Sequence, residues 1–408
     1  MNALALPILV RSKNANEACR RGAARLVQGN FAAARADFDR ALEAASDYPE
    51  AYNYRGVARH ALGDLAGAMA DFNRALGIAS RYAEAYSNRG ALRHATGDVD
   101  GAIADFDSAL EINPGHAESY NNRGAARHAR GDLEGAVADF DRAIELLPRY
   151  ALAFCNRGAA RHALGNLVGA VADLDRALEL SPRHTSAAIY HNRGAAQHAL
   201  GDLEGAIADF DQALMLEPDS ADSHVGRGAA RYSLGDYKGA VVDYDEALRL
   251  TPRQAAAPVY HSRGGARHAA GDFAGAIADY NQALEIDSGL CVAYVSRGHA
   301  RFHQRDRLAA NDYRTAFRLD PRLAASEIIR IVAADLKRDP AAVLENCRKH
   351  IRIQAGDFVA YARRGLTRLL QGDDSEAEHD FQELLRLAPE WKDQLRLLID
   401  EAARQRSA

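Results

Sequence analysis

Residues 117 to 150 read AESYNNRGAARHARGDLEGAVADFDRAIELLPRY, and lines of the same design stand before and after them at a near-constant offset. The dipeptide Arg-Gly tracks the period. Arg21, Arg55, Arg89, Arg123 and Arg157 lie 34 residues apart, and Arg193, Arg227, Arg263 and Arg297 follow at steps of 36, 34, 36 and 34. The two longer steps hold the extra pairs Thr185-Ser186 and Ala255-Ala256. A weaker copy returns at Arg364-Gly365, so the interval between is expected to hold one degenerate repeat, for about eleven in all.

Each repeat reads as two helices. Tyr120, Gly124, Arg127 and Gly131 fall at i, i+4, i+7 and i+11, and Leu133, Ala136, Phe140, Ala143 and Ile144 form a second apolar stripe at helical spacing. Gly131 suits a left-handed stop between them, and Asp132 suits the N-cap of the second helix. Pro148 closes that helix, because an interior proline removes a backbone donor and clashes with the preceding turn. Pro114, Pro182, Pro218 and Pro252 punctuate other copies in the same way. One repeat has too little apolar surface to fold alone, whereas stacked copies bury a continuous core. The expected fold is therefore all-α: a right-handed superhelical solenoid of about eleven helix-turn-helix repeats with a C-terminal capping helix. Along the chain this gives an N-terminal arm over 1–14, nine repeats over 15–323, a degenerate repeat over 324–357, a final repeat over 358–391 and a capping helix over 392–408, in one elongated domain.

The pattern resembles the tetratricopeptide repeat family. The residues that carry the resemblance in the third copy are Tyr86, Gly90, Gly97, Ala102, Phe106, Ala109 and Pro114, and it extends over roughly 15 to 323 and again from 358 to 391. The chain departs from the family where the first helix usually carries Leu and a large aromatic: here both points are Arg, as in Arg89 and Arg93 or Arg123 and Arg127. The resemblance implies that first helices line an inner, concave face and that asparagines on that face hold the backbone of a bound peptide.

Composition narrows the classes further. The chain has 408 residues, 48% of them hydrophobic, and a net charge of -5; only five of its 51 basic residues are lysine. Cys19, Cys155, Cys291 and Cys347 never form a close pair, which argues against disulfides and thiolate metal sites and fits a reducing, cytoplasmic compartment. The opening MNALALPILV lacks the basic start of a signal peptide and is broken by Pro7, so it reads as an apolar arm over the first repeat. No apolar run approaches the ~20 residues of a membrane helix. Trp391, Leu395, Leu398, Ile399 and Ala402 make the single apolar stripe that a terminal cap needs.

Two arginines per repeat could track a phosphate backbone. Their phase places them instead on the packing side of the first helix, where the second helix offers Asp71, Asp105, Asp139, Asp173, Asp209, Asp243 and Asp279. The expectation is structural ion pairs, among them Arg89, Arg123, Arg127 and Arg157 with Asp105, Asp139 and Asp173, and no nucleic-acid partner.

The other face of the first helix carries Asn88, Asn122, Asn156 and Asn192 at one point, with Asn121 beside them, and His60, His94, His128, His162 and His198 at another. An amide offers a donor and an acceptor, matching a peptide group. Loss of the four asparagines is expected to weaken binding and leave stability nearly unchanged. Equivalent positions on neighbouring first helices lie ~8 to 10 Å apart, too far for successive rings to share a zinc ion. His299 and His303, four apart with His268 one repeat earlier, have ligand-like spacing, but the sequence offers no evident acid beside them. No phosphate loop, nucleophile elbow or metalloprotease motif occurs, so neither catalysis nor a cofactor or metal is expected.

The resulting reading is a scaffold that binds an extended segment of a protein partner across repeats three to six. The alternatives are an enzyme or a metal or cofactor binder using the histidine-lined concavity, and an adaptor that presents the acidic second helices, for example Asp98, Asp100, Asp105, Asp107 and Glu111, to a basic partner.

Overall fold

The computed structural model describes residues 13–181, 186–354 and 356–407. The arm expected over 1–14 lies outside them except for Lys13 and Asn14, which already belong to the first helix; Pro182 and Thr185 also lie outside the described residues. Every element among the described residues is helical.

Where the sequence reads as one elongated domain, the chain forms two compact units, Met1–Gly201 and Asp202–Ala408. Repeat arrays bury surface mainly between neighbours, so compactness is local rather than global. Unit 1 holds α1 (Lys13–Val27), α2 (Phe31–Ala44), α3 (Pro49–Ala61), α4 (Leu65–Ile78), α5 (Ala83–Ala95), α6 (Val99–Ile112), α7 (Ala117–Arg130), α8 (Leu133–Leu146), α9 (Ala151–Ala163), α10 (Leu167–Leu180) and α11 (Ala187–Leu200). From α1 to α9, each first helix packs on the second helix that follows and on the first helix of the next repeat, as α7 does on α8 and α9.

Local chemistry sets these boundaries. Gly131 ends α7 at φ 87°, a conformation that costs glycine little, and Asp132 accepts the Gly135 N–H at 3.1 Å to cap α8. A Cβ on Gly135 would stand 2.4 Å from the Asp132 carboxylate, so glycine there gives the closest cap, although in α2 the Asn30 side chain caps Ala33 at the same point at 3.3 Å. Between the helices Phe140, 1% exposed, presses on Gly124, where a Cβ would come within 2.7 Å of its ring. That glycine lets the two helices approach closely enough to bury the phenyl ring.

Unit 2 continues the alternation through α12 (Leu203–Leu216), α13 (Ala221–Leu234), α14 (Tyr237–Leu250), α15 (Ala257–Ala269), α16 (Phe273–Ile286), α17 (Cys291–His303) and α18 (Ala309–Leu319). It then changes character with α19 (Pro321–Arg338), α20 (Pro340–Ile353), α21 (Phe358–Gln371), α22 (Asp374–Leu387) and α23 (Lys392–Ser407). The degenerate repeat is helical but not a plain copy. Its first helix, α19, runs 18 residues, starts behind the Asp320 cap and packs on α17, α18, α21 and α23. Ala324, Ala325, Ile329 and Val332 are its buried stripe. The terminal helix covers this region: Leu395, Leu398 and Ala402 are buried, and Trp391 meets Phe317 edge-on at 5.5 Å and Phe358 at 5.1 Å.

Candidate functional site

The arginines are engaged with acids. Arg123 donates from Nε and Nη2 to Asp139 at 2.9 and 2.5 Å, and Arg127 donates to the same carboxylate at 2.8 Å. Asp139 is 3% exposed. Arg89 binds Asp105 and Arg157 binds Asp173 in the same two-pronged way. The sequence did not disclose the third prong: Arg123 Nη1 reaches back 2.6 Å to Asp107 on α6, Arg157 Nη1 reaches 2.6 Å to Asp141 on α8, and Arg89 Nη1 reaches Asn73 at 2.8 Å. Each guanidinium also lies over an aromatic ring of its own helix, as Arg123 does over Tyr120 at 5.4 Å. One side chain thus ties three helices, and removing either member strands a charge in a poorly solvated place.

This arrangement also changes the reading of the acidic face. Asp105, counted there from the sequence, is 3% exposed and belongs to the buried pairs. Asp107 is bound by Arg123, and Asp98 caps α6 through the Gly101 N–H. Asp100 meets Arg130 at 3.4 Å, so four of the five acids proposed for a basic partner are already engaged within the chain.

The asparagines form a seam between repeats. Asn88 Nδ2 donates to Asn53 Oδ1 at 2.9 Å, and Asn156 Nδ2 donates to Asn121 Oδ1 at 2.9 Å. Asn192 bonds the Cys155 thiol, whose pKa burial nevertheless pushes up, so that cysteine is a poor nucleophile. In each case the residue before the Arg-Gly arginine meets the residue two before the arginine of the previous repeat. Asn121, read as a groove amide, is corrected by this geometry: it is 1% exposed and bonds Asn122 and Asn156. One residue turns the helix by ~100°, which is enough to carry Asn121 into the helix interface and leave Asn122 at its edge. Asn88, Asn122, Asn156 and Asn192 are half-buried, as are His94, His128, His162 and His198, while His60 is exposed.

In unit 2 the equivalent face is partly covered. Tyr232, His261, Ser262, Gly265, His268, Ser296 and His299 share a cavity with Arg330, Ile331, Ala334, Asp335 and Arg338 of α19. The histidines cluster here. His268, His299 and His303 have donor atoms within 4.8 Å of one another, and Asp335 lies 3.2 Å from His299 Nε2. The acid that the sequence did not reveal comes from α19, 36 residues beyond His299. Arg363 weighs against a metal ion. Its guanidinium donates to His299 Nδ1 at 2.5 Å and pairs with Asp335, placing a permanent positive charge where a divalent ion would need lone pairs. Burial lowers the pKa of all three rings, to about 4 for His268 and about 2 for His303.

The repeating helix pair, its glycine contact and its cap define a helical-repeat scaffold, and comparison with known families agrees. Models described as tetratricopeptide repeat match residues 19–84, 83–116, 106–138 and 257–289, and one described as TPR repeat matches 125–165 and 198–235. The chain belongs to the tetratricopeptide repeat family, whose members are generally protein-interaction scaffolds. No curated protein sequence matches it.

Among solved structures the chain is similar to a tetratricopeptide repeat protein from Parabacteroides merdae ATCC 43184, at 19% identity over 62% of this chain and 99% of that one, with a TM-score of 0.47. It is also similar to YrrB, a TPR protein with an unusual peptide-binding site, at 22% identity over 46% and 95% of the two chains and a TM-score of 0.38. Human IFIT1, solved as a dimer with m7Gppp-AAAA, aligns at 14% identity over 92% and 91%, with a TM-score of 0.49. These are likenesses of fold.

Proposed function

We propose that this chain is a non-catalytic scaffold that holds an extended segment of a protein partner along the first helices α5, α7, α9 and α11 of unit 1. Asn88, Asn122, Asn156 and Asn192 would contact the bound backbone, with His94, His128, His162 and His198 beside them and His60 toward one end. The observation that carries this reading is internal to the molecule. In unit 2 the same positions of the repeat already lie against a polypeptide segment, α19. In unit 1 each first helix packs on its chain neighbours and keeps those positions half-exposed. That α19 is a helix favours a second form of the reading, in which the partner segment is helical too.

The reading excludes nucleic acid as the partner, because the arginines that would meet phosphates are bonded to acids. No helix among the described residues is long and apolar enough to cross a membrane, and four buried cysteines that form no disulfide fit a cytoplasmic setting. Affinity capture from the source cell tests the proposal. The partner should be lost when Asn88, Asn122, Asn156 and Asn192 are all changed to Ala in a still helical protein, and kept when the exposed acids Asp100 and Glu111 are neutralised. Equal capture by the asparagine variant moves the binding surface elsewhere.

A further inference from the structure

Beneath α19 lies a cavity of about 380 Å³. Its rim carries Tyr232, 41% exposed, with Arg330 and Arg338 of α19; its floor carries Tyr244 and Tyr280, each 3% exposed, and Ser296. Tyr280 hydrogen-bonds Ser296, which also meets His261 at 3.1 Å. The Tyr244 hydroxyl makes no hydrogen bond among the described residues and opens onto the cavity, while His268 Nε2 in the same wall is buried without a partner. A buried ring nitrogen left without a partner costs free energy, so its place in a cavity wall beside a free hydroxyl points to a guest.

The balance of donors and acceptors says what kind of guest. The carboxylates around the cavity are taken: Glu327 holds Arg330, Asp335 holds Arg363 and His299, Asp243 is held by Arg227 and Arg231, and Asp279 by Arg263 and Arg267. Arg338 has no carboxylate partner among the described residues; it rests on the Tyr237 ring at 5.5 Å and donates to the Tyr237 hydroxyl at 2.9 Å and to the Ala269 carbonyl at 3.4 Å. What remains is a surplus of donors with one uncompensated positive charge, walled by aromatic rings. We propose that this cavity binds a small organic oxyanion, its charged oxygens drawn to Arg338 and the Tyr244 hydroxyl and its body lying between the tyrosine rings. Burial keeps the Tyr244 and Tyr280 phenols well above their usual pKa, so both stay protonated donors at neutral pH. The guest would touch both α19 and the repeat helices and so favour the closed arrangement by mass action.

Calorimetric titration of the full chain with inorganic phosphate, and separately with acetate at matched ionic strength, tests the proposal. At least one ion should saturate at one per chain. Tyr244→Phe, which deletes only the hydroxyl, should weaken binding by about 3- to 10-fold, and Arg338→Gln by at least about 10-fold. Arg322→Gln, an exposed arginine outside the cavity, should leave it unchanged. Binding of phosphate alone assigns a phosphoryl-bearing guest, acetate alone a carboxylate, and both the oxyanion class at large. No saturation by either ion below about 10 mM, or wild-type affinity in either cavity variant with its helicity intact, overturns the assignment.

Discussion

Five residues after the Arg-Gly arginine, unit 1 carries His60, His94, His128, His162 and His198, and unit 2 carries Tyr232, His268 and Phe302. In unit 1 these rings keep contact with solvent. In unit 2 Tyr232 at the rim keeps 41% exposure and His268 is half-buried against His299 at 4.7 Å, whereas Phe302 is 2% exposed, stacked on His350 at 4.1 Å and lying under Arg363. The repeat that builds both faces is the same. What differs is α19, a helix whose sequence has left the repeat pattern, and the lesson is that a groove's availability depends on what the chain folds over it as well as on what lines it.

The largest test of this contrast is to loosen the cover. Leu398, 2% exposed, belongs to the core that α19 and α21 share with α23, and Leu398→Ala should cost about 2–5 kcal/mol. Hydrogen exchange should then quicken in α19 and α23 and stay unchanged in α5 to α9. Matching acceleration in both units would break the comparison.

The ion chain is the feature the units share, so Asp139→Ala in unit 1 and Asp279→Ala in unit 2 should each destabilise by about 1–3 kcal/mol in denaturant titrations. A neutral result at either site removes the structural role given to its arginines.

Acid separates the units. Burial holds His268 at about 4, so it resists the proton that its unfolded form takes up near the ordinary imidazole value of 6.5. Folding is therefore favoured by this ring above pH 6.5, and the contribution drains away as pH falls toward 4. On the order of 1–2 kcal/mol should be lost over that window around α15 and α17, and His268→Gln should flatten the fall. A pH profile that is the same with and without His268 would contradict the assignment.

The smallest effect sharpens the function. Asn156→Ala deletes the bond to Asn121 between α9 and α7 and should cost about 1 kcal/mol of stability. This replaces the expectation that the asparagines could be removed at no cost to the fold, and partner affinities must be measured on variants whose unfolding curves are known.

The period, the helix pair and the Gly-Asp boundary were legible in the sequence because spacing, glycine and proline are local instructions. Arg123 with Asp139 was legible for the same reason, since helical phase puts both on packing faces. The backward reach to Asp107 was not, because it depends on how closely one repeat stacks on the next. Asn121 was misplaced by a single helical step. Least visible was α19: with no Arg-Gly and no shared phase, nothing in 321–338 announces that its Asp335 will stand beside His299.

The backward-reaching arginine constrains how such a chain grows. Arg193 and Arg263 follow the two-residue insertions, and the separation to Asp175 and Asp245 widens from 16 residues to 18 while the bonds hold at 2.6 and 2.5 Å. A newly copied repeat must therefore bring an aspartate for its own arginine and a second acceptor for its successor's. Duplication in whole periods supplies both at once, and a splice that changes phase supplies neither; unpaired guanidinium groups at every misjoined seam would select against arrays lengthened by anything but complete copies.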